Sequence, residues 1–415
     1  MMNEIINKAA KITVLGLGYI GLPTALTFAD AGFTVYGFDV NPKVIESLSN
    51  GEAHVIEPEL GELLQKTLAS GKFIPVNTIP ESDVFIVCVP TPFIESIEEK
   101  KADLSYVESA GKIIAQHIRK GNLVILESTV PPRATENVLG KTIEKYSSLQ
   151  MHKDFLLAHC PERVLPGKIL YELKNNDRVI GVADQKTGEI VKALYESILD
   201  KGKVYITNIV TAEMCKLVEN AYRDVNIAFA NEVSIIADQL GIDAFELIEL
   251  ANKHPRVNIL QPGVGVGGHC IAVDPWFIVE KFPQTSKLIK TAREVNDSKP
   301  YWVAQKVEEA VAYDRSKIIG ILGLAYKANV GDLRESPSIK LAHILQSRGY
   351  KVLGCEPYVN LDDIEGIPNI SLEKIVSESD LLVLTLTHSV FLNNIQTIAS
   401  KKVIDVVGAM RKARL

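Results

Sequence analysis

A β-rich run, KITVLG (11–16), passes straight into Gly16-Leu17-Gly18-Tyr19-Ile20-Gly21. A helix-forming stretch, 22–31, then leads through Gly32 to a second β-rich run, FTVYGFD (33–39). Strand, glycine turn, helix and strand at this spacing make a βαβ unit, the start of a Rossmann-like domain. The first glycine allows the tight turn, the second lets a pyrophosphate approach the backbone, and the third lets the helix pack closely. The helix N-terminus offers unsatisfied N–H groups and the positive end of its dipole to an anion. Asp39 ends the second strand, 23 residues after Gly16. A carboxylate there accepts from both ribose hydroxyls and repels a 2′-phosphate. The unit therefore predicts NAD rather than NADP, held around Gly16, Gly18, Tyr19, Ile20, Gly21 and Asp39. The competing reading is a structural turn without nucleotide, against which the position of the acid weighs.

Ile12 to Ala29 is also an uncharged 18-residue stretch behind Lys8 and Lys11. Its length alone would suit a membrane span. Gly16, Gly18, Gly21 and Pro23 interrupt it, no second span follows, and the thiol-rich remainder does not suit secretion. It is expected to be a buried strand, turn and helix rather than a membrane or secretory segment. The 415 residues are enough for two or three domains at about 150 each. With 45 Lys+Arg against 51 Asp+Glu, the net charge is −6. Such a chain is a poor candidate for wrapping nucleic acid, which needs clustered cations. The five cysteines, 88, 160, 215, 270 and 355, are odd in number, widely spaced and without a CxxC. That pattern argues against a disulfide framework or a metal site and for a reducing, cytoplasmic setting.

Further apolar runs at 83–89, 122–127, 154–159 and 178–182 alternate with helical segments, the grammar of a doubly wound parallel sheet. From Thr211 to Gly241 the apolar residues recur near helical period without Pro or interior Gly, which predicts one long helix. A second helix is expected over 243–252, then a glycine-rich loop at 261–270. Another helical segment should run to about 298, where Ser298-Lys299-Pro300 is a plausible break. The α/β grammar then resumes, with strand and turn at 317–327, helix at 337–348 and strand at 351–357. SDVFIVCVPTP (82–92) is echoed by SDLLVLTLTHS (379–389). The expected fold is α/β: two Rossmann-like doubly wound domains, 1–208 and 301–415, bridged by a central helical region, 209–300.

Cys270 ends a loop containing Gly263, Gly265, Gly267 and Gly268. Glycines leave amides free and allow close approach of a ligand, and such amides lower a thiol pKa or stabilise an oxyanion. Asp274 follows near the start of a helix. Cys88, Cys215 and Cys355 sit in apolar contexts, where cysteine is usually a small hydrophobe; Cys160, in His-Cys-Pro, is ambiguous. Lys216, Asn220 and Arg223 share one face of the long helix. Asn is a poor helix-interior residue, so Asn220, Asn226 and Asn231 point to a lined pocket or, equally, to a hydrated face. The second α/β half lacks a clean GxGxxG, although Glu356 follows its second strand. There Lys327, Asp332 and Arg334 point to a pocket for another phosphorylated ligand or to solvated loop charge.

Together GLGYIGLP (16–23), VPTP (89–92), ESTVPP (127–132), CPERVLPG (160–167), EMCKLVENAYRDVNIAFANE (213–232), GVGGHCIAVDP (265–275) and GLAYKANVGDLRESPS (323–338) resemble the nucleotide-sugar 6-dehydrogenases across nearly the whole chain. The resemblance implies a homodimer built on the central helix and two NAD-dependent oxidations of one UDP-sugar, from primary alcohol to acid. It implies that Cys270 captures the aldehyde as a thiohemiacetal, which is oxidised to a thioester and hydrolysed. By the same likeness Lys216 and Asn220 stabilise the oxyanion, Asp274 is the acid/base partner, and Thr129 and Glu162 position the hydrolytic water. Thr91, Ser128, Thr129 and Arg334 fall in the cofactor cleft. Arg163, Arg223, Gly267, Lys327 and Arg256, the last reaching across the dimer, fall at the substrate. CPERVLPG, YRDVNIAFANE and HPRVNILQPG look like the N-acetylmannosamine branch, which makes surface-polysaccharide precursors. Val264 departs from it where proline is frequent. UDP-glucose and UDP-N-acetylglucosamine remain alternative substrates. A one-step hydroxyacid dehydrogenase and an inactive binding protein are further alternatives, separable by NADH formed per substrate: two, one or none.

Overall fold

The computed structural model describes residues 1–94, 100–165, 167–268 and 270–413. Residues 95–99, Pro166 and His269 of two motifs, and residues 414–415 lie outside the described residues. The chain divides into two compact units: 1–219 with 276–281, and 220–275 with 282–415.

The first unit is built on eight strands. They are β1 (Lys11–Leu15), β2 (Thr34–Phe38), β3 (Phe73–Val76), β4 (Val84–Val87), β5 (Leu123–Leu126), β6 (Leu156–His159), β7 (Arg178–Val182) and β8 (Val204–Thr207). Their order is β3-β2-β1-β4-β5-β6-β7-β8. All neighbours are parallel except β6 and β7, which are antiparallel. The sheet is therefore mixed rather than wholly parallel. Side chains alternate between its faces. Ile12, Val14, Val84, Ile86, Leu123 and Ile125 pack with Leu22, Ala25 and Leu26 of the helix Gly21–Asp30. Leu15, Phe85, Val87, Val124 and Leu126 pack on the opposite side with Val107, Ala110 and Ile114. With helices on both faces, every residue of β4 and β5 is buried, as central parallel strands require.

The long helix spans Ile209–Leu240, 32 residues or roughly 48 Å. The second unit holds a four-stranded parallel sheet in the order β10 (Lys351–Cys355), β9 (Ile318–Leu322), β13 (Leu381–Leu384), β14 (Val403–Asp405), and the hairpin β11 (Asp363–Ile364) with β12 (Ile367–Pro368). One expectation is overturned. There is no break at 298–300: a single helix runs Lys287–Ala310 with Pro300 inside. An interior proline costs about 3 kcal/mol. Packing on both sides of it outweighs that cost: Arg293 and Asn296 are buried before it, and Val303, Ala304 and Val307 after it. Among the described residues no helix is long and apolar enough to cross a membrane.

Candidate active site

In the first unit the ends of β1, β2, β4 and β5 carry the cofactor-side residues. Gly16 has φ +87°, and a Cβ there would stand 2.6 Å from the Cys88 carbonyl oxygen. A Cβ on Gly21 would fall 1.8 Å from the Gly16 carbonyl oxygen. Both positions admit only glycine. Gly18 instead faces open space. The helix behind it, Gly21–Asp30, has no side-chain cap at Ile20 and offers an anion the positive end of its dipole, although Leu22 N–H is already bonded to the Gly18 carbonyl. Asp39 is half-buried and held by the N–H groups of Leu17 and Asn41, each 2.9 Å away. Each of its oxygens keeps a lone pair for a ribose hydroxyl. This open turn and fixed acid fit NAD.

Thr91 Oγ1 donates to the Thr129 carbonyl at 2.8 Å, and Ser128 Oγ to the Val89 carbonyl at 2.7 Å. These two hydroxyl bonds lock the ends of β4 and β5 together. Glu162 is buried and paired with Arg178 at 2.7 Å. Arg163 is committed elsewhere: its guanidinium holds Glu219 at 2.8 Å and the Asp177 carbonyl. Only the rest of its fork remains for a ligand. Lys216 is buried on the central helix, and Arg223 is exposed.

In the second unit Asn220 Nδ2 donates to Asp274 Oδ2 at 2.5 Å. Asp274 is buried, and its N–H bonds the Cys270 carbonyl at 2.8 Å. The turn places Cys270 four residues before the start of the helix Asp274–Lys281. Cys270 is exposed, whereas Cys160 and Cys355 are buried and Cys88 and Cys215 are half-buried. Burial pushes the thiols of Cys160 and Cys355 up to about 12 and raises Cys88 well above its ordinary value. Those three are poor nucleophiles at neutral pH. The glycines before Cys270 serve packing more than free amides. A Cβ on Gly267 would meet the Glu335 carbonyl at 2.6 Å, and one on Gly268 the Tyr326 ring at 2.9 Å. The Gly268 N–H itself bonds the Arg334 carbonyl.

Arg334 is tied to Asp332 through Nε and Nη2 at 2.9 and 2.6 Å. Lys327 is half-buried, and Arg256 is exposed on its loop. Sequence reasoning left Glu356 without a role. Its Oε2 accepts from Leu324 N–H, Ala325 N–H and His388 Nε2 at 2.9, 2.8 and 3.2 Å. The acid at the end of the second strand of this unit is thus turned onto its own chain. Also missed were Glu127, Arg178 and Tyr195, all buried; the one signal was an acid and an arginine at the ends of apolar strands.

Residues 10–199 match the NAD binding domain of the UDP-glucose/GDP-mannose dehydrogenase family, 210–298 its central domain and 320–412 its UDP binding domain. The chain belongs to this family. It is an NAD-dependent UDP-sugar dehydrogenase. It is 48% identical to a UDP-N-acetyl-D-mannosamine dehydrogenase of Methanocaldococcus jannaschii, over 94% of this chain and 90% of that one. It is 44% identical to an NDP-N-acetyl-D-galactosaminuronic acid dehydrogenase of Ralstonia solanacearum, over 97% of each. The UDP-D-ManNAc dehydrogenase from Pyrococcus horikoshii superposes with a TM-score of 0.88 at 40% identity, over 96% of both chains.

Proposed function

We propose that the protein oxidises UDP-N-acetyl-D-mannosamine at C6 to the uronate, reducing two NAD⁺ per sugar, to supply surface-polysaccharide precursors in the cytoplasm. The observation that carries the chemistry is the exposed Cys270 beside the Asn220–Asp274 pair. The names of the relatives at 40–48% identity support the sugar. Arg163 supports it less than its motif promised, because Glu219 holds much of its fork.

NAD⁺ held at the glycine turn and Asp39 would supply the hydride acceptor for each oxidation. An aldehyde is a poor hydride donor, so the Cys270 sulfur adds to it and makes a thiohemiacetal, whose C6–H is a good one. Loss of that hydride leaves a thioester, and water replaces the sulfur. Lys216 and Asn220, one helical turn apart, donate to the oxygen as it gains charge. Asp274, oriented by Asn220, exchanges the thiol proton. Thr129 and Glu162 hold the water.

The test is a side-by-side assay of UDP-N-acetylmannosamine, UDP-N-acetylglucosamine, UDP-N-acetylgalactosamine and UDP-glucose at equal concentration, counting NADH per sugar. The mannosamine sugar should give two NADH and the highest kcat/KM. Equal efficiency with UDP-glucose would overturn the substrate while leaving the family intact.

The active form is a homodimer through the central helix. Val218, Tyr222, Phe229, Ile236 and Leu240 are exposed on it, spaced by four or seven residues as one apolar stripe. Phe229→Glu should leave a monomer in sedimentation at micromolar concentration. A dimer unchanged by that charge would remove the stripe from the interface.

A further inference from the structure

One buried polar cluster in the first unit meets the chemistry above only at Glu162. Backbone bonds in register set Cys88, Glu127 and Cys160 one residue past β4, β5 and β6, in a row across the sheet edge: Cys88 N–H to Leu15 O, Glu127 N–H to Val87 O, Cys160 N–H to Leu126 O. β7 runs the other way, pairing Val182 with Ala158 and Gly181 with His159. Each step beyond β6 is met by one step back along β7, which brings Arg178 opposite Glu162. A parallel β7 would place Arg178 at the far end of the sheet.

Arg178 Nη1 donates to Glu162 Oε2 at 2.7 Å, and Nη2 to the Leu173 carbonyl at 3.4 Å. Its guanidinium carbon lies 4.6 Å from the centroid of the Tyr195 ring, within cation–π range. Tyr195 OH donates to Glu127 Oε1 at 2.6 Å, while Cys88 Sγ and Thr24 Oγ1 reach Oε2 at 3.2 and 3.3 Å. Glu162 itself stands in a stretch, 160–165, without regular secondary structure. Its Oε1 accepts from the Arg163 N–H at 2.7 Å. Each Glu162 oxygen thus has one donor among the described residues, with acceptor capacity left for a water. Burial pushes the Glu127 carboxyl up, and the guanidinium bonds Glu162 directly rather than Glu127. As a stability device the arrangement is poor: a buried pair rarely outdoes apolar packing, and Arg178 Nε has no acceptor among the described residues. As a device for fixing one carboxylate it is complete.

We propose that Arg178, braced by Tyr195 and Glu127, is a positioning residue for the hydrolytic half of the reaction, holding Glu162 so that its remaining lone pair aims the attacking water. This rests on the reading that Glu162 positions that water. The water oxygen bonds the acyl carbon and the C–S bond breaks. The sulfur leaves with the electron pair and takes one water proton, and the other is released as the acid ionises. Neither oxidation consumes water, so both stay intact when the aim is lost.

Full-length Arg178→Met, Arg178→Lys and Glu162→Gln are mixed with NAD⁺ and UDP-N-acetylmannosamine. NADH, free uronate and the mass of the Cys270-containing peptide are followed together. Arg178→Met should give an NADH burst at near-normal rate, uronate release slowed on the order of 10²-fold, and an acyl group accumulating on Cys270. Arg178→Lys should recover part of the release. If Arg178→Met does not fold, Tyr195→Phe and Arg178→Lys are expected to show the same accumulation in milder form. Burst and release falling together in the Arg178 variants, or normal release, while Glu162→Gln still accumulates acyl-enzyme, would overturn the role of Arg178 alone. Absence of acyl-enzyme in Glu162→Gln would remove the reading of Glu162, and the proposal with it.

Discussion

Cys270→Ser should abolish uronate formation while leaving NAD binding unchanged. Serine keeps the shape of the loop, because one sulfur becomes one oxygen at an exposed position. It does not keep the chemistry, since an unactivated hydroxyl is a far weaker nucleophile than a thiol. Without addition to the aldehyde the second hydride has no good donor. Loss of an activated nucleophile lowers kcat by roughly three orders of magnitude or more. NADH per sugar should fall from two to at most one, with no acyl group on residue 270. NAD affinity, measured by fluorescence titration, should stay within about twofold, because the glycine turn and Asp39 belong to another segment. Undiminished carboxylate production by the variant would remove Cys270 from the mechanism. No other thiol is a ready substitute among Cys88, Cys160 and Cys355, whose thiols are raised by burial.

How much of this was legible in the sequence depends on whether the signal is local. The glycine turn and Asp39 were readable because a tight turn, an open backbone and an acid at a strand end all fall within one βαβ unit. The central helix was readable from its period. The weak strands β3 and β8 were not: they lie at the sheet edges and are only partly buried, so their apolar signal is thin. The reversal of β7 was hidden for another reason. An apolar run such as RVIGV reads alike in either direction, yet that direction decides which residue faces Glu162. The partners of Arg163 and Glu356 lie 56 and 32 residues away, and a single sequence gives no pairing at that range. Gly267 and Gly268 were singled out for close approach, and the neighbours that approach them within the chain, the Glu335 carbonyl and the Tyr326 ring, lie too far along the sequence to be read from it. Pro300 misled because propensity was read without the packing that overrides it.

Asp224→Ala should be among the most destabilising single changes in the second unit. Asp224 is wholly buried, one turn beyond Asn220, and accepts from Arg293 Nη1 at 2.5 Å and Asn296 Nδ2 at 2.8 Å. Arg293 is itself only 1% exposed, and its other carboxylate, Asp297, is 40% exposed. The bond ties the central helix to the helix Lys287–Ala310, and so holds the turn that presents Asn220. Removing the carboxylate strands a buried guanidinium, a loss of about 3–5 kcal/mol. For a unit of this size that corresponds to roughly 6–20 °C in unfolding temperature, read by calorimetry. Turnover should fall as well, because Asn220 orients Asp274. The double replacement Asp224→Leu with Arg293→Met should recover most of the stability. Asp224 Oδ2 and Arg293 Nε have no partners among the described residues, so the pair is incompletely satisfied and apolar packing replaces it at little cost. A single variant melting within about 1 °C of the parent would show that Asp297 and solvent suffice for Arg293. A double variant as unstable as the single one would place the stabilisation in the shape of the pair rather than in its charge.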